Sequence, residues 1–239
     1  MISLTQEYVD SCPVERGFRM RGLNMTRTEV FVDAAFAFAL TLLVISFDAI
    51  PRNWQEVILA IKSIPAFMFA VAQLAWIWYE HSVWSKRYGL DDAMTAFLSV
   101  LLLIAMLIYI YPMRMMASGM FAWFTNGYLP QSFDLEGWDQ LAGMFVFMGL
   151  CFSALCAVFA LLNLYASRRR SELRLSPQEW HSTRTAAGTW AGSGVIGLIS
   201  VWMALALPPP WTPYAGFAYA FMAVWIPLFG RWRHARRPD

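Results

Sequence analysis

Charge is scarce in this sequence, and so are the residues from which metal centres and active sites are built. Only 14% of the 239 residues are Asp, Glu, Lys or Arg, against 59% hydrophobic and a mean hydropathy of +0.46. A soluble domain of this length would have too little polar side chain to cover its surface, so the chain reads as a membrane protein. Three cysteines, Cys12, Cys151 and Cys156, form no disulfide framework, and the last two lie inside one apolar run where a thiol serves as a small apolar residue. The sequence has no Gly-rich phosphate loop, no His-Glu-x-x-His and no Cys-x-x-Cys. Its three histidines, His81, His181 and His234, fall at or near the ends of apolar runs, so no cofactor and no tightly bound metal are expected. Residues 1–28 carry charges of both signs and lack the apolar core of a cleaved signal.

What is abundant is apolar length. Six segments are long enough to cross about 30 Å of hydrocarbon as helices, at roughly 29–49, 57–79, 93–116, 140–166, 185–207 and 211–230. The last two are separated by Leu207-Pro-Pro-Pro-Trp-Thr-Pro213, whose prolines cannot continue a helix. With a cytoplasmic N-terminus, fifteen of the 18 Lys and Arg fall on the inside, leaving Arg52, Lys62 and Arg114 outside. The positive-inside rule then places both termini in the cytoplasm. The long connection 117–139 agrees, since it holds Asp134, Glu136 and Asp139 and no cation.

The arginine runs Arg168-Arg-Arg170 and Arg231-Trp-Arg-His-Ala-Arg-Arg237 lie directly inside of spans, where topology and anionic headgroups account for them without nucleic acid. Gly192-Ser193-Gly194 resembles the setting of an intramembrane serine nucleophile, but no histidine lies at its depth. Gly188 and Gly192, four apart, are better read as a place where helices approach closely in lipid.

Polar residues concentrate at the start of the first span. Thr26 and Glu29 have the spacing of a capping box. Arg27 and Asp33 stand about 240° apart at 100° per residue, so they cannot pair on one helix and must find partners elsewhere. Glu80, His81, Asp91 and Asp92 are candidates at the same membrane level. Further along, Phe38, Leu42 and Ile45 form one helical stripe with Thr41 beside it, a pattern that suits helix packing as well as a pore. Asp48 near the outer end is read either as a charge at a pore mouth or as a partner for Arg52.

Arg27-x-x-x-Phe31-Val32-Asp33, running into an apolar helix, resembles the Arg-x-x-x-Phe-Ser-Asp signature of the transmembrane protein 175 family of potassium channels in its prokaryotic form. Trp78-Tyr-Glu-His81-Ser-Val-Trp84 is similar to that family's Trp-x-x-His-x-x-aromatic, and Pro112 matches a proline near the end of its third helix. The likeness covers about residues 26–116 by motif and the remainder by six-helix architecture. It implies a homotetramer in which helix one of each copy surrounds a central axis. Phe38, Leu42 and Ile45 would form the apolar constriction, Thr41 would contribute selectivity and meet K⁺ transiently, and Arg27, Phe31, Asp33, Trp78 and His81 would form the structural network. Two positions depart from the pattern: Val32 replaces the motif serine, and Phe38 stands where the family has Ile or Leu.

The expectation is an all-α polytopic membrane protein with a cytoplasmic segment 1–25, a channel unit 26–230 and a basic tail 231–239. Its function would be a potassium-preferring cation channel of a prokaryotic plasma membrane, with K⁺, lipid and copies of itself as partners. The alternatives are a weakly selective cation or proton leak and a non-conducting scaffold or sensor; an enzyme is the least favoured.

Overall fold

Helix starts are set by short polar side chains that catch the first free backbone N–H groups. In the computed structural model, which describes residues 4–45 and 51–236, Asn53 accepts from Glu56 N at 3.0 Å and opens α3, Trp54–Tyr88. Asp92 accepts from Thr95 N at 2.8 Å and opens α4, Ala93–Phe124. Ser176 and Glu179 form a complete capping box at the start of α6, Pro177–Ala206, with Pro177 in the first turn where its missing N–H costs nothing. Thr26 accepts from Glu29 N at 3.1 Å at the start of α2, Arg27–Ile45, which is one half of the expected capping box. The remaining long helix is α5, Trp138–Arg168.

The last predicted span is built differently. Residues Pro209–Phe221 form a 3₁₀ helix that passes into α7, Met222–His234. Prolines at 209, 210 and 213 lack the N–H groups an α-helix requires, and Ser200 Oγ of α6 donates to Ala215 O at 2.8 Å, fastening the segment to α6. Taking this segment with α7, five helices are each long and apolar enough to cross a membrane. The sixth, α2, has 19 residues or about 28 Å, and runs to the edge of the described residues.

The helices pack in sequence: α2 lies against α3 and α4, α4 against α5, and α5 against α6, with the 3₁₀ segment and α7 on α6. One apolar core runs through α2 to α6, from Val32 and Phe36 through Leu102 and Met106 to Leu155 and Phe159. The α5–α6 contact is close because Gly149 faces Gly197, and Ser153 Oγ donates to Gly194 O at 2.9 Å. Gly188 and Gly192 are where α7 comes close to α6, as their spacing suggested. They are notches that seat the rings of Phe229 and Trp225 from α7, where a Cβ would lie 2.7 and 2.1 Å from ring carbons.

One end of the bundle is capped by a small N-terminal unit with no counterpart in the sequence reading. It comprises α1, Gln6–Ser11, and a hairpin of β1, Val14–Glu15, with β2, Phe18–Arg19. Arg16 and Gly17 take left-handed backbone (φ 50° and 77°), the conformation a two-residue hairpin turn demands. This unit lies beside the C-terminal ends of α3 and α5 and the N-terminal end of α6, and His181 of α6 bonds Arg233 O of α7 at 2.8 Å. All these termini therefore share one membrane side, as alternating crossings require.

Candidate functional site

Two stripes divide α2. Val32, Phe36, Ala39 and Leu43, spaced four, three and four, are at most 5% exposed and enter the core against α3 and α4. At 100° per residue, Phe31, Phe38 and Leu42 form a second stripe about 90–130° around the helix from the first, and they are 58%, 62% and 39% exposed. Among the described residues no element of the same chain covers them, so this face is left for lipid or for another copy. Ile45 continues the stripe by register, but its side chain lies outside the described residues, as does Asp48.

Thr41 is the polar member of this face. It is exposed, and its hydroxyl donates to Ala37 O at 3.1 Å. The proton is thereby turned into the helix, so what the oxygen offers outward is lone pairs, the arrangement that suits a cation rather than an anion.

The structure brings together part of the polar set expected near the helix start. Asp33 accepts from Trp78 Nε1 at 2.8 Å, tying the back of α2 to α3. The hydrogen-bond donor is Trp78; of the candidates, His81 lies close enough to interact with the Asp33 charge, and Asp91 and Asp92 are engaged elsewhere. His81 is buried, and its Nε2 meets Ser99 Oγ of α4 at 3.1 Å. Asp91 instead accepts from Thr28 Oγ1 at 3.1 Å. Asp92 receives Tyr165 and Arg169 from α5. Burial acts to raise the Asp92 carboxyl, but the hydrogen bonds from Tyr165 and Thr95 and the nearby Arg169 outweigh it and hold it below the usual carboxylate range. Arg27 is exposed and stands in no ion pair among the described residues, while Phe31 shares the open face with Phe38.

Residues set aside on sequence grounds behave as structure. Ser193 is buried in the α6 interior. Cys12 and Cys156 are buried free thiols, and Cys151 is half-buried. A feature the sequence reading missed is the buried pair Arg21–Glu179, at 2.7 Å. Its available signal was Ser176-Pro-Gln-Glu179, a capping box directly after an apolar residue.

Three comparisons bear on this arrangement. The sequence profile of the family described as endosomal/lysosomal potassium channel TMEM175 matches residues 27–112, which contain both α2 and the Trp78–His81 segment. A protein of Marivirga tractuosa named as a potassium channel is 30% identical over 224 residues, 90% of each chain. A crystal structure of a threonine-to-alanine variant of the potassium channel MtTMEM175, in complex with a nanobody–MBP fusion protein, matches with a TM-score of 0.76 at 29% identity. That match covers 91% of this chain and 97% of the other.

Proposed function

Because the chain belongs to the TMEM175 family of potassium channels, we propose that four copies assemble with their α2 helices around one axis and conduct potassium between them. The observation that carries this reading is the open face of α2. Phe38 and Leu42 protrude from the open flank of α2, about 90–130° around the helix from the stripe that anchors it in its own subunit, so a symmetric assembly through that face would bring apolar side chains together on the axis.

The constriction would consist of Phe38, Leu42 and Ile45. An apolar ring excludes a hydrated ion by losing its water, because a stripped cation gains nothing from Phe or Ile to offset dehydration. Opening then means moving the helices apart until water is continuous. Thr41 lies on the same face one turn from Phe38, and its outward lone pairs would meet a partly hydrated K⁺ there. Of the family motif, Asp33 and Trp78 would act indirectly by tying α2 to α3, and His81 by tying α3 to α4, whereas Arg27 and Phe31 are free to meet a neighbouring copy.

The protein spans the membrane several times. Its cation distribution supports a prokaryotic plasma membrane with both termini in the cytoplasm, a channel unit of residues 26–230, and flanking segments 1–25 and 231–239. The chemistry is permeation rather than catalysis. The test is reconstitution of purified protein into liposomes loaded with K⁺ against external Na⁺. Expected is K⁺ efflux that follows protein density; folded tetramer that passes no cation, while a related channel conducts in parallel, would refute the proposal.

A further inference from the structure

The pore helix is preceded by a buried latch anchored on α6 of its own subunit. All five N–H groups of Arg21 are engaged: Nε with Leu173 O at 2.8 Å, Nη1 with Arg19 O at 2.9 Å and Glu179 Oε1 at 3.1 Å, and Nη2 with Glu179 Oε2 at 2.7 Å and Arg174 O at 3.3 Å. The two side chains are 0% and 4% exposed. Glu179 is saturated as well, since it also accepts from Arg19 N at 2.8 Å and Ser176 N at 2.9 Å. A desolvated pair with every donor and acceptor filled has one arrangement and little slack.

Immediately after Arg21, Gly22 N donates to Lys86 O at 2.9 Å. A Cβ on Gly22 would lie 2.6 Å from Ser85 O, so the strand is pressed directly on the end of α3. Residues 23–26 then lead into Arg27, the first residue of α2. The main packing of α2 is on α3 and α4, and that of α6 is on α5, the 3₁₀ segment and α7. The Arg21–Glu179 anchor therefore lies within the body of the subunit, at the ends of α3 and α6, whereas Phe38 is on the open face of α2.

We propose that Arg21 and Glu179 are positioning residues for permeation: they hold the inner end of α2 back from the axis and so keep the pore able to open. This rests on the reading of α2 as the pore helix. Releasing the latch leaves the inner end held by Thr28–Asp91 and Asp33–Trp78 and free to lean toward its open face. Flux then falls.

The test uses full-length protein in K⁺-loaded liposomes. Arg21→Met combined with Glu179→Gln removes both charges together and leaves no unpaired buried ion, so folding is preserved where a single neutralisation would endanger it. Thermal midpoint and oligomer mass are measured on the same samples. Expected is a K⁺ efflux reduced about 2- to 30-fold, the range for a coupling carried through a packed network, at wild-type assembly and midpoint. Arg21→Lys keeps the charge but loses the fork, and is expected to fall between wild type and the double variant. Phe38→Ala is the control for the pore reading. If Phe38→Ala raises efflux while the double variant and Arg21→Lys conduct like wild type, the latch proposal fails and the pore assignment stands. If Phe38→Ala also changes nothing, the pore assignment fails with it. Should the double variant not assemble, wild-type efflux from assembled Arg21→Lys overturns the proposal by itself.

Discussion

Adding one methyl group at a series of glycines should sort them by what they face. At Gly149 a Cβ would lie 2.5 Å from Val201 Cγ2 and 2.9 Å from the carbonyl oxygen of Gly197 on α6. A comfortable contact lies near 3.5 Å, so that backbone oxygen would have to retreat by about 0.6 Å, and a packed helix does not give locally. Gly143, six residues earlier on α5, has nothing within 4 Å of its own Cβ position. Both substitutions gain the same intrinsic advantage of Ala over Gly in a helix, so their difference isolates the overpacking cost, about 1–3 kcal/mol. Gly188→Ala should fall between them, because the atom it meets, Phe229 Cζ at 2.7 Å, belongs to a side chain that can turn aside. Unfolding in mixed detergent micelles titrated with dodecyl sulfate, followed by helical circular dichroism, measures all three. Expected is the order Gly143→Ala most stable, then Gly188→Ala, then Gly149→Ala. Equal midpoints for Gly143→Ala and Gly149→Ala would show that α5 and α6 do not meet backbone to backbone at this level.

Three further outcomes follow from single contacts. Thr41→Ala removes the outward oxygen and should lower the ratio of K⁺ to Na⁺ permeation in bi-ionic liposome measurements, with total cation flux retained; an unchanged ratio removes Thr41 from the selectivity step. Trp78→Phe deletes the 2.8 Å donor to Asp33 and should cost about 1–3 kcal/mol in the same micelle assay, whereas a change within error would make that bond incidental. The Asp92 carboxyl is held low in the fold, so its contribution is present above the unfolded value near 3.9 and is lost as pH falls through the folded one. Asp92→Asn should therefore reduce the fall in thermal midpoint below about pH 4, and an identical acid profile would contradict the assigned cause.

Apolar length made the six crossings legible, because hydrocarbon thickness sets a minimum run that little else imitates. The same criterion hides helix ends. Helix α4 continues to Phe124 where the apolar run suggested 116, since α-helix costs nothing beyond the bilayer and nothing stops it until Asn126 and Gly127 turn the backbone left-handed. The α2 stripe was legible from its spacing, but spacing alone cannot tell a face that packs from one that stays open; the burial of Val32, Phe36, Ala39 and Leu43 decides it. Of the Arg21–Glu179 pair only the capping box around Glu179 was legible, not the partner. Its members are 158 residues apart, and an arginine beside a membrane span already has a sufficient explanation in topology.

The two departures from the family signature stand about 120° apart around α2, one in the buried stripe and one on the open face, and that separates their consequences. Val32 is 0% exposed within the subunit core, so the missing serine hydroxyl would have faced α3 and α4 and not an ion. Restoring it with Val32→Ser should leave K⁺ flux and selectivity at wild type while lowering stability, through lost apolar contact and a hydroxyl with no obvious partner beyond its own helix. Phe38 is on the open face, where four rings would occupy the proposed constriction. Phe38→Leu, which restores the family's residue class, should raise K⁺ flux without changing the unfolding midpoint; a barrier lowered by about 1.4 kcal/mol suffices for a tenfold increase. The opposite pattern, with Val32→Ser altering conduction and Phe38→Leu silent, would mean that the buried stripe faces the ion path and that α2 is rotated by about a third of a turn from the orientation argued for it.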